Sequence, residues 1–257
     1  MTERERRHTP LDRDRVPASE CTPEHRHEIL KQVPFFQDQT DEAIAAINER
    51  FRAFAYDADE AIYHAGQRAS ELHVVADGHV RLVRYAPDGH KVVLAILAPG
   101  EIFGGLSLLG DTEYADTAEA QTDCCVLGIG ASDFRDALQH HPDVALRVLD
   151  YTSERLRSAH EAIEGLSAHS VEERIATLLL RLGDKLGESS PEGLLIQMPL
   201  SRRDIAAMTG TTPETASRIL SDFRSAGLID SGRQWIALRD VDRLEAIAEG
   251  ESSTAAG

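Results

Sequence analysis

The sequence predicts an α+β chain in three consecutive parts: an antiparallel β-domain, one long helix, and a small helical domain closed by a β-hairpin. Three observations carry this. From about Phe51 to Ala131, short apolar runs alternate with Asp-Gly and Pro-Gly turn signals. From Pro142 the apolar residues recur at heptad spacing, and residues 200–226 hold the caps, breakers and apolar positions of two helices around one glycine.

Composition bounds the reading first. The 257 residues are 42% hydrophobic, enough for a substantial core. No apolar run reaches the roughly 18 residues of a membrane span, and residues 1–20 are charged throughout, which together predict a cytoplasmic protein without membrane contact. Cys21, Cys124 and Cys125 form an odd set with no Cys-x-x-Cys spacing, which argues against a disulfide framework and against an all-cysteine zinc site. The net charge of −17 is unevenly spread: Ser201–Arg239 has six arginines against four acids, so this segment is +2 and the rest of the chain −19. An acidic body with a locally basic head is compatible with a nucleic-acid partner.

Taken in order, residues 1–24 read as a flexible tail. A short helix near Glu24–Lys31 and a second one capped by Thr40, with Ile44 and Ile47 on one face, follow. Strand-like runs then cover Ala61–Tyr63, Leu72–Val75, Val80–Tyr85, Val92–Leu97 and Cys124–Ile129, separated by Gly66, Asp77-Gly78, Pro87-Asp88-Gly89 and Pro99-Gly100. That texture indicates an antiparallel sandwich or barrel over 25–141. Cys124 and Cys125 are adjacent on a strand and so point to opposite faces, one to the core and the other outward or toward a neighbour.

The helix over 142–168 places Ala145, Leu149, Thr152, Leu156, Ala159, Ile163 and Leu166 at alternating spacings of four and three, a coiled-coil seam. Leu149, Thr152, Leu156, Ala159 and Ile163 are therefore candidates for the interface of a homodimer; the plainer alternative is an amphipathic helix packed on its own domain. A further helix runs from about Val171 to Lys185, with Ile175, Leu178, Leu179 and Leu182 inward, and Gly187–Gly193 reads as a loop around Pro191.

Residues 200–226 carry the chemistry. Ser201 and Asp204 have capping-box spacing, Gly210 supplies a left-handed helix end, Thr212 caps a second helix, and Pro213 stands where its missing N–H is harmless. Ala216, Ile219, Leu220 and Phe223 form the buried stripe of that second helix. Its other face offers Glu214, Ser217, Arg218 and Arg224, polar groups where helix-turn-helix motifs read the major groove. Residues 227–238 read as strand, turn (Asp230–Arg233), strand: a wing with Arg233 at its tip. The candidate contacts to double-stranded DNA are Ser201, Arg202, Arg203, Thr212, Glu214, Thr215, Ser217, Arg218, Arg224 and Arg233. The winged helix-turn-helix domain spans 169–248, and 249–257 is a second tail.

These residues resemble the CRP/FNR family of transcription regulators. Ser201-Arg-Arg-Asp-Ile-Ala and Pro213-Glu-Thr-Ala-Ser-Arg look like its DNA-binding signature. Gly66, Gly78, Gly89 and Pro99-Gly-Glu-Ile-Phe-Gly104 with Leu106 look like the glycine framework of its cyclic-nucleotide-binding-like β-roll. Val171-Glu-Glu-Arg-Ile-Ala-Thr-Leu-Leu resembles the helix that opens the DNA-binding domain, so the likeness covers about residues 28–247. It implies a homodimer on inverted TTGAT-like half-sites, allosteric control through the β-roll, and contact with RNA polymerase if the protein is an activator. Glu214, Ser217 and Arg218 stand where the FNR branch reads bases; Pro213 replaces a residue that is often a basic contact.

The effector is less defined. The resemblance places a pocket at Phe103, Gly104, Gly105, Leu106, Tyr114 and Ala115, but Gly105 stands in place of the ribose-binding Glu, and Tyr114-Ala115 in place of the phosphate-binding Arg-Ser pair. Cyclic AMP by the usual route is thus not expected, since an unpaired buried phosphate is costly. A four-cysteine iron–sulfur cluster is excluded, because Cys21 stands alone near the N-terminus. Haem with one of the eleven histidines as axial ligand stays open beside the simpler reading of scattered surface histidines, and a small-molecule or gas effector is compatible with both. No phosphate loop, Gly-x-Ser-x-Gly or His-Glu-x-x-His motif supports an enzyme. Two competing readings are a cyclic-nucleotide-binding module that does not act through DNA, and a regulator whose β-roll is only a scaffold.

Overall fold

The computed structural model describes residues 21–86, 91–105, 112–232 and 234–250. They form two compact units divided between Ser158 and Ala159. No described helix is long and apolar enough to cross a membrane.

The first unit is a two-sheet β-roll backed by helices. Helix α1 (Pro23–Gln32) is capped by Thr22, whose hydroxyl accepts from the His25 N–H, and α2 (Asp41–Asn48) by Thr40, as the sequence predicts. The first sheet has the order β1 (Arg52–Tyr56), β8 (Cys124–Gly130), β3 (Glu71–Asp77), β6 (Ile102–Gly104). The second has β2 (Ala61–Tyr63), β7 (Thr117–Ala120), β4 (Val80–Tyr85), β5 (Lys91–Leu97), and every pairing is antiparallel.

Two cores result. Between the sheets lie Tyr63, Val75, Val80, Leu82, Leu97, Phe103, Tyr114, Ala118, Ala120, Cys124 and Val126. Behind the first sheet, Leu72, Val74, Cys125, Leu127 and Ile129 meet Leu30, Phe35, Phe36, Ile44 and Ile47 of the N-terminal segment. Phe134 of α3 (Ala131–His140) and Val144 and Val148 of α4 (Pro142–Ala168) close that second core. Strand β8 is thus buried on both faces: its side chains alternate between two cores instead of between core and water.

Two expectations about the cysteines are overturned here. Neither Cys124 nor Cys125 is exposed, because helices cover the face that the sequence left open. Moreover, Cys125 is disulfide-bonded to Cys21, 104 residues away. The odd count could not show this, since the pairing depends on the start of α1 lying against the first sheet. Cys21 is tied down and α1 starts at Pro23, before the expected boundary at residue 24, whereas the rest of the expected tail, 1–20, lies outside the described residues.

In the second unit, α5 (Val171–Leu186) opens with a reciprocal Ser170–Glu173 capping box and buries Ile175, Ala176, Leu179 and Leu182, with Leu178 only half-buried. The segment expected as a loop is a hairpin, β9 (Gly187–Ser190) and β10 (Gly193–Ile196). It joins β11 (Ile229–Gly232) and β12 (Trp235–Leu238) in a four-stranded sheet ordered β11-β12-β10-β9. Helices α6 (Arg202–Thr209), α7 (Pro213–Ser225) and α8 (Val241–Ala248) complete the unit.

Candidate nucleic-acid interface

The two helices of the expected motif are set by local bonds. At the start of α6, the Ser201 hydroxyl accepts from the Asp204 N–H at 3.1 Å, and the Asp204 carboxylate accepts from the Ser201 N–H at 2.9 Å. Gly210, at φ +61° and ψ 44°, turns the chain out of α6 in the left-handed conformation that favours glycine. Thr212 then accepts from the Thr215 N–H at 3.2 Å, with Pro213 in the first turn of α7. Ala216, Ile219, Leu220 and Phe223 anchor α7, while Ile205 and Ala206 anchor α6. Met208 is only half-buried, and Thr209 takes the inward position beside it.

This anchoring leaves Glu214, Ser217, Arg218 and Arg224 exposed on α7, and Ser201, Arg203 and Thr212 exposed around it; Arg202 and Thr215 are half-buried. Arg218 lies 3.7 Å from Asp222 one turn on, an exposed pair worth only a few tenths of a kcal/mol and easily exchanged for a base or phosphate. Among the described residues, Arg202, Arg203 and Arg224 have no acidic partner within 4 Å. Burial and the neighbouring Arg224 charge push the Arg202 pKa down, so a phosphate brought to this pair would relieve two crowded cations.

The hairpin beyond α7 departs from expectation in its turn. Asp230–Gly232 belong to β11, and Gly232 pairs with Trp235, so the connection is two residues, with Gln234 at φ +69°. Arg233 lies outside the described residues.

Helix α4 carries two distinct apolar stripes. Val144 and Val148, with half-buried Tyr151, face the core behind the β-roll. On another side Leu146, Leu149 and Leu156 are 66%, 64% and 58% exposed, and Thr152 and Ala159 are exposed with them. Self-packing and the predicted seam therefore use different residues, and Leu146, missed in the heptad count, extends the exposed stripe. The Ile163 side chain lies outside the described residues.

In the β-roll the expected effector residues enter an aromatic cluster. Tyr114 stacks on Tyr63 with ring centroids 3.8 Å apart, and Phe103 stacks on His73 at 5.1 Å. The Tyr114 hydroxyl also bonds the Glu71 backbone at 3.2 Å, so the ring standing at the expected phosphate-binding position is turned into the core. Gly105 is buried, Gly104 and Ala115 are exposed, and Leu106 lies outside the described residues. Gly104, at φ +93°, is packed so closely that a Cβ would lie 2.9 Å from His73 Nδ1. Among the described residues that buried nitrogen has no hydrogen-bond partner.

The Tyr63 hydroxyl donates to Asp116 at 3.0 Å. Burial holds the Asp116 pKa above the usual carboxylate value, against the opposing pull of Tyr63, Arg84 and Arg155. Sequence reasoning did not select Tyr63, His73 or Asp116 for this pocket. Tyr63 and His73 come from strands of opposite sheets, so no local spacing marks their meeting.

Comparison with known proteins agrees with this architecture. The family model for the cyclic nucleotide-binding domain matches residues 53–141, and that for the Crp-like helix-turn-helix domain matches residues 173–247. The chain is 30% identical over 221 residues to a cyclic AMP receptor protein of Thermus thermophilus, covering 86% of this chain and 99% of that one. It is 26% identical over 217 residues to a CRP-like cAMP-activated global transcriptional regulator of Mycobacterium tuberculosis, covering 84% and 97%. Among solved structures, FixK2 from Bradyrhizobium japonicum superposes with a TM-score of 0.70 at 31% identity, over 80% of this chain and 99% of that one. With a β-roll, a long helix and a capped helix-turn-helix in that order, the chain belongs to the CRP/FNR family of DNA-binding transcription regulators.

Proposed function

We propose that the protein is a homodimer that reads an inverted repeat through α7, with Arg218 on a guanine, Glu214 on a cytosine amino group and Ser217 beside them. Arg202, Arg203, Arg224, Ser201, Thr212, Thr215 and Arg233 hold the phosphates, and the exposed leucine stripe of α4 forms the subunit seam. The half-sites are TTGAT-like, their centres about 34 Å apart. The observation that carries this reading is the exposed Glu214-Ser217-Arg218 face of a helix anchored by four buried side chains, with three arginines beside it lacking an acidic partner among the described residues. If the protein activates transcription, RNA polymerase is its further partner.

The test is binding of the untreated protein to a TTGAT-N4-ATCAA duplex and to a scrambled one across a salt series. Selective binding is expected, and Arg218→Ala should lose about 1–3 kcal/mol on the repeat while relaxing discrimination at one guanine. Equal losses on both duplexes would contradict base reading.

The relatives named above include cAMP-activated proteins, but the aromatic packing here favours a different input. The uncharged Tyr114 side chain, stacked on Tyr63, cannot pair with a cyclic phosphate, and the nearby Arg84 guanidinium is held on the Ala115 carbonyl at 2.8 Å. The β-roll accordingly works without cyclic AMP, either as a scaffold or through another small-molecule or gas effector. Titration with cyclic AMP should leave DNA affinity unchanged; a shift would overturn this. A visible spectrum recorded on the same sample tests for haem.

A further inference from the structure

Cys21 precedes the cap of α1 and is half-buried against the core behind the first sheet, whereas Cys125 is 1% exposed in that core. Their bond fastens the start of α1 to the N-terminal end of β8 and closes a loop of 104 residues. The third cysteine is out of the exchange. Cys124 faces the other core, and burial first, then the negative charges of Asp123, Asp77 and Glu60, leave its thiol pushed up to about 12.

The fastened segment is in direct contact with α4. Leu30, Phe35 and Phe36 share a core with Val144 and Val148, and the Phe35 and Tyr151 rings lie 6.2 Å apart. Two polar links reinforce the contact: Asp38 pairs with Arg147, and the Gln39 side chain donates to Asp143.

We propose that Cys21 and Cys125 form a reversible redox site, a clasp that closes under peroxide, opens under a dithiol, and reports its state to α4 through the segment it holds. Peroxide meets Cys21 first, because that sulfur is the more accessible of the two. The Cys21 thiolate attacks one oxygen, the O–O bond breaks, and the departing hydroxide takes a proton to leave as water. Cys125 then loses its proton and attacks the Cys21 sulfur; the S–O bond breaks and a second water leaves. Two electrons from two thiols have reduced one peroxide to two waters. A small dithiol reverses this by attack on Cys21, release of the Cys125 thiol and closure of its own cyclic disulfide. The closed clasp removes freedom from the N-terminal segment and orders the first turns of α4, so the oxidised protein binds DNA more tightly.

The test uses the full chain after hydrogen peroxide or dithiothreitol. Alkylation in denaturant is expected to label one cysteine in the oxidised protein and three in the reduced one. Reduction should lower Tm by roughly 10 °C, given the length of the closed loop. Oxidised protein should bind the inverted repeat several-fold more tightly than reduced protein, and Cys21→Ala should show neither redox difference. Three labelled cysteines after peroxide would overturn the site, and an unchanged Tm would overturn the clasp; neither reading depends on DNA. Equal DNA affinity of the two states, with selective binding intact, would overturn the link to α4. The wild-type comparison requires no variant to fold.

Discussion

The two units of this chain hold their candidate functional side chains by opposite means. In the helix-turn-helix the positioning bonds are local: Ser201 with Asp204 and Thr212 with Thr215. In the β-roll they span the domain. Tyr63 reaches Asp116 across 53 residues, Arg81 reaches Glu119 across 38, and Cys21 reaches Cys125 across 104. Local bonds set one helix end each, so their loss is felt there and little elsewhere. Long-range contacts exist only once both sheets are paired, so removing one weakens the whole roll. The candidate DNA contacts thus sit on a modular scaffold and the aromatic cluster of the β-roll on a cooperative one.

Four substitutions sharpen or break that contrast. The largest effect belongs to neither unit alone. Leu156→Asp in the exposed stripe of α4 should give monomers by sedimentation and cost about two to four orders of magnitude in affinity for the repeat, the gain that joining two reading heads provides. An intact dimer would sink the seam. Next, Tyr114→Ala removes a buried, stacked and hydrogen-bonded ring, and should cost about 3–5 kcal/mol in urea unfolding of the β-roll. A loss below ~1 kcal/mol would mean that the aromatic cluster is loosely packed, and the contrast would fail.

Ser201→Ala should cost only about 1 kcal/mol, read as a small fall in the thermal stability of the DNA-binding unit. The smallest effect concerns pH. Burial pushes the Glu119 pKa up, but hydrogen bonds from Lys91, Arg81 and Tyr85 outweigh it and hold the pKa below its ordinary value. The stability this contributes is complete above the ordinary glutamate value of about 4.3 and is lost as pH falls through the lower folded value. Glu119→Gln should therefore flatten the acid limb of a melting-temperature profile. An unchanged limb would show that another carboxylate sets it.

The contrast also governs what could be read from residues alone. Caps, the left-handed glycine and the apolar stripe of α7 lie within a few positions of one another, so the sequence displays them nearly complete. Turn signals marked most strands of the roll, but β1, β6 and β7 were missed because they are short or bounded by weak turns. The hairpin of β9 and β10 reads as a loop from sequence because Ser189, Ser190 and Pro191 look like loop residues. Its second strand is nonetheless bonded to β12, a pairing fixed by chain some forty residues away. The aromatic cluster and the Cys21–Cys125 bond were illegible for the same reason: no spacing rule brings residue 63 to 114, or 21 to 125.

Strand β8 has a consequence for how this protein tolerates change. Because its two faces belong to two cores, it has no solvent side on which substitutions accumulate harmlessly. A change at Cys124 or Val126 must be accommodated by the opposite sheet, and one at Cys125, Leu127 or Ile129 by the helices. Neighbouring positions therefore answer to different sets of neighbours. Drift in this chain should bypass those residues and gather on the exposed positions of α4 that belong to neither apolar stripe.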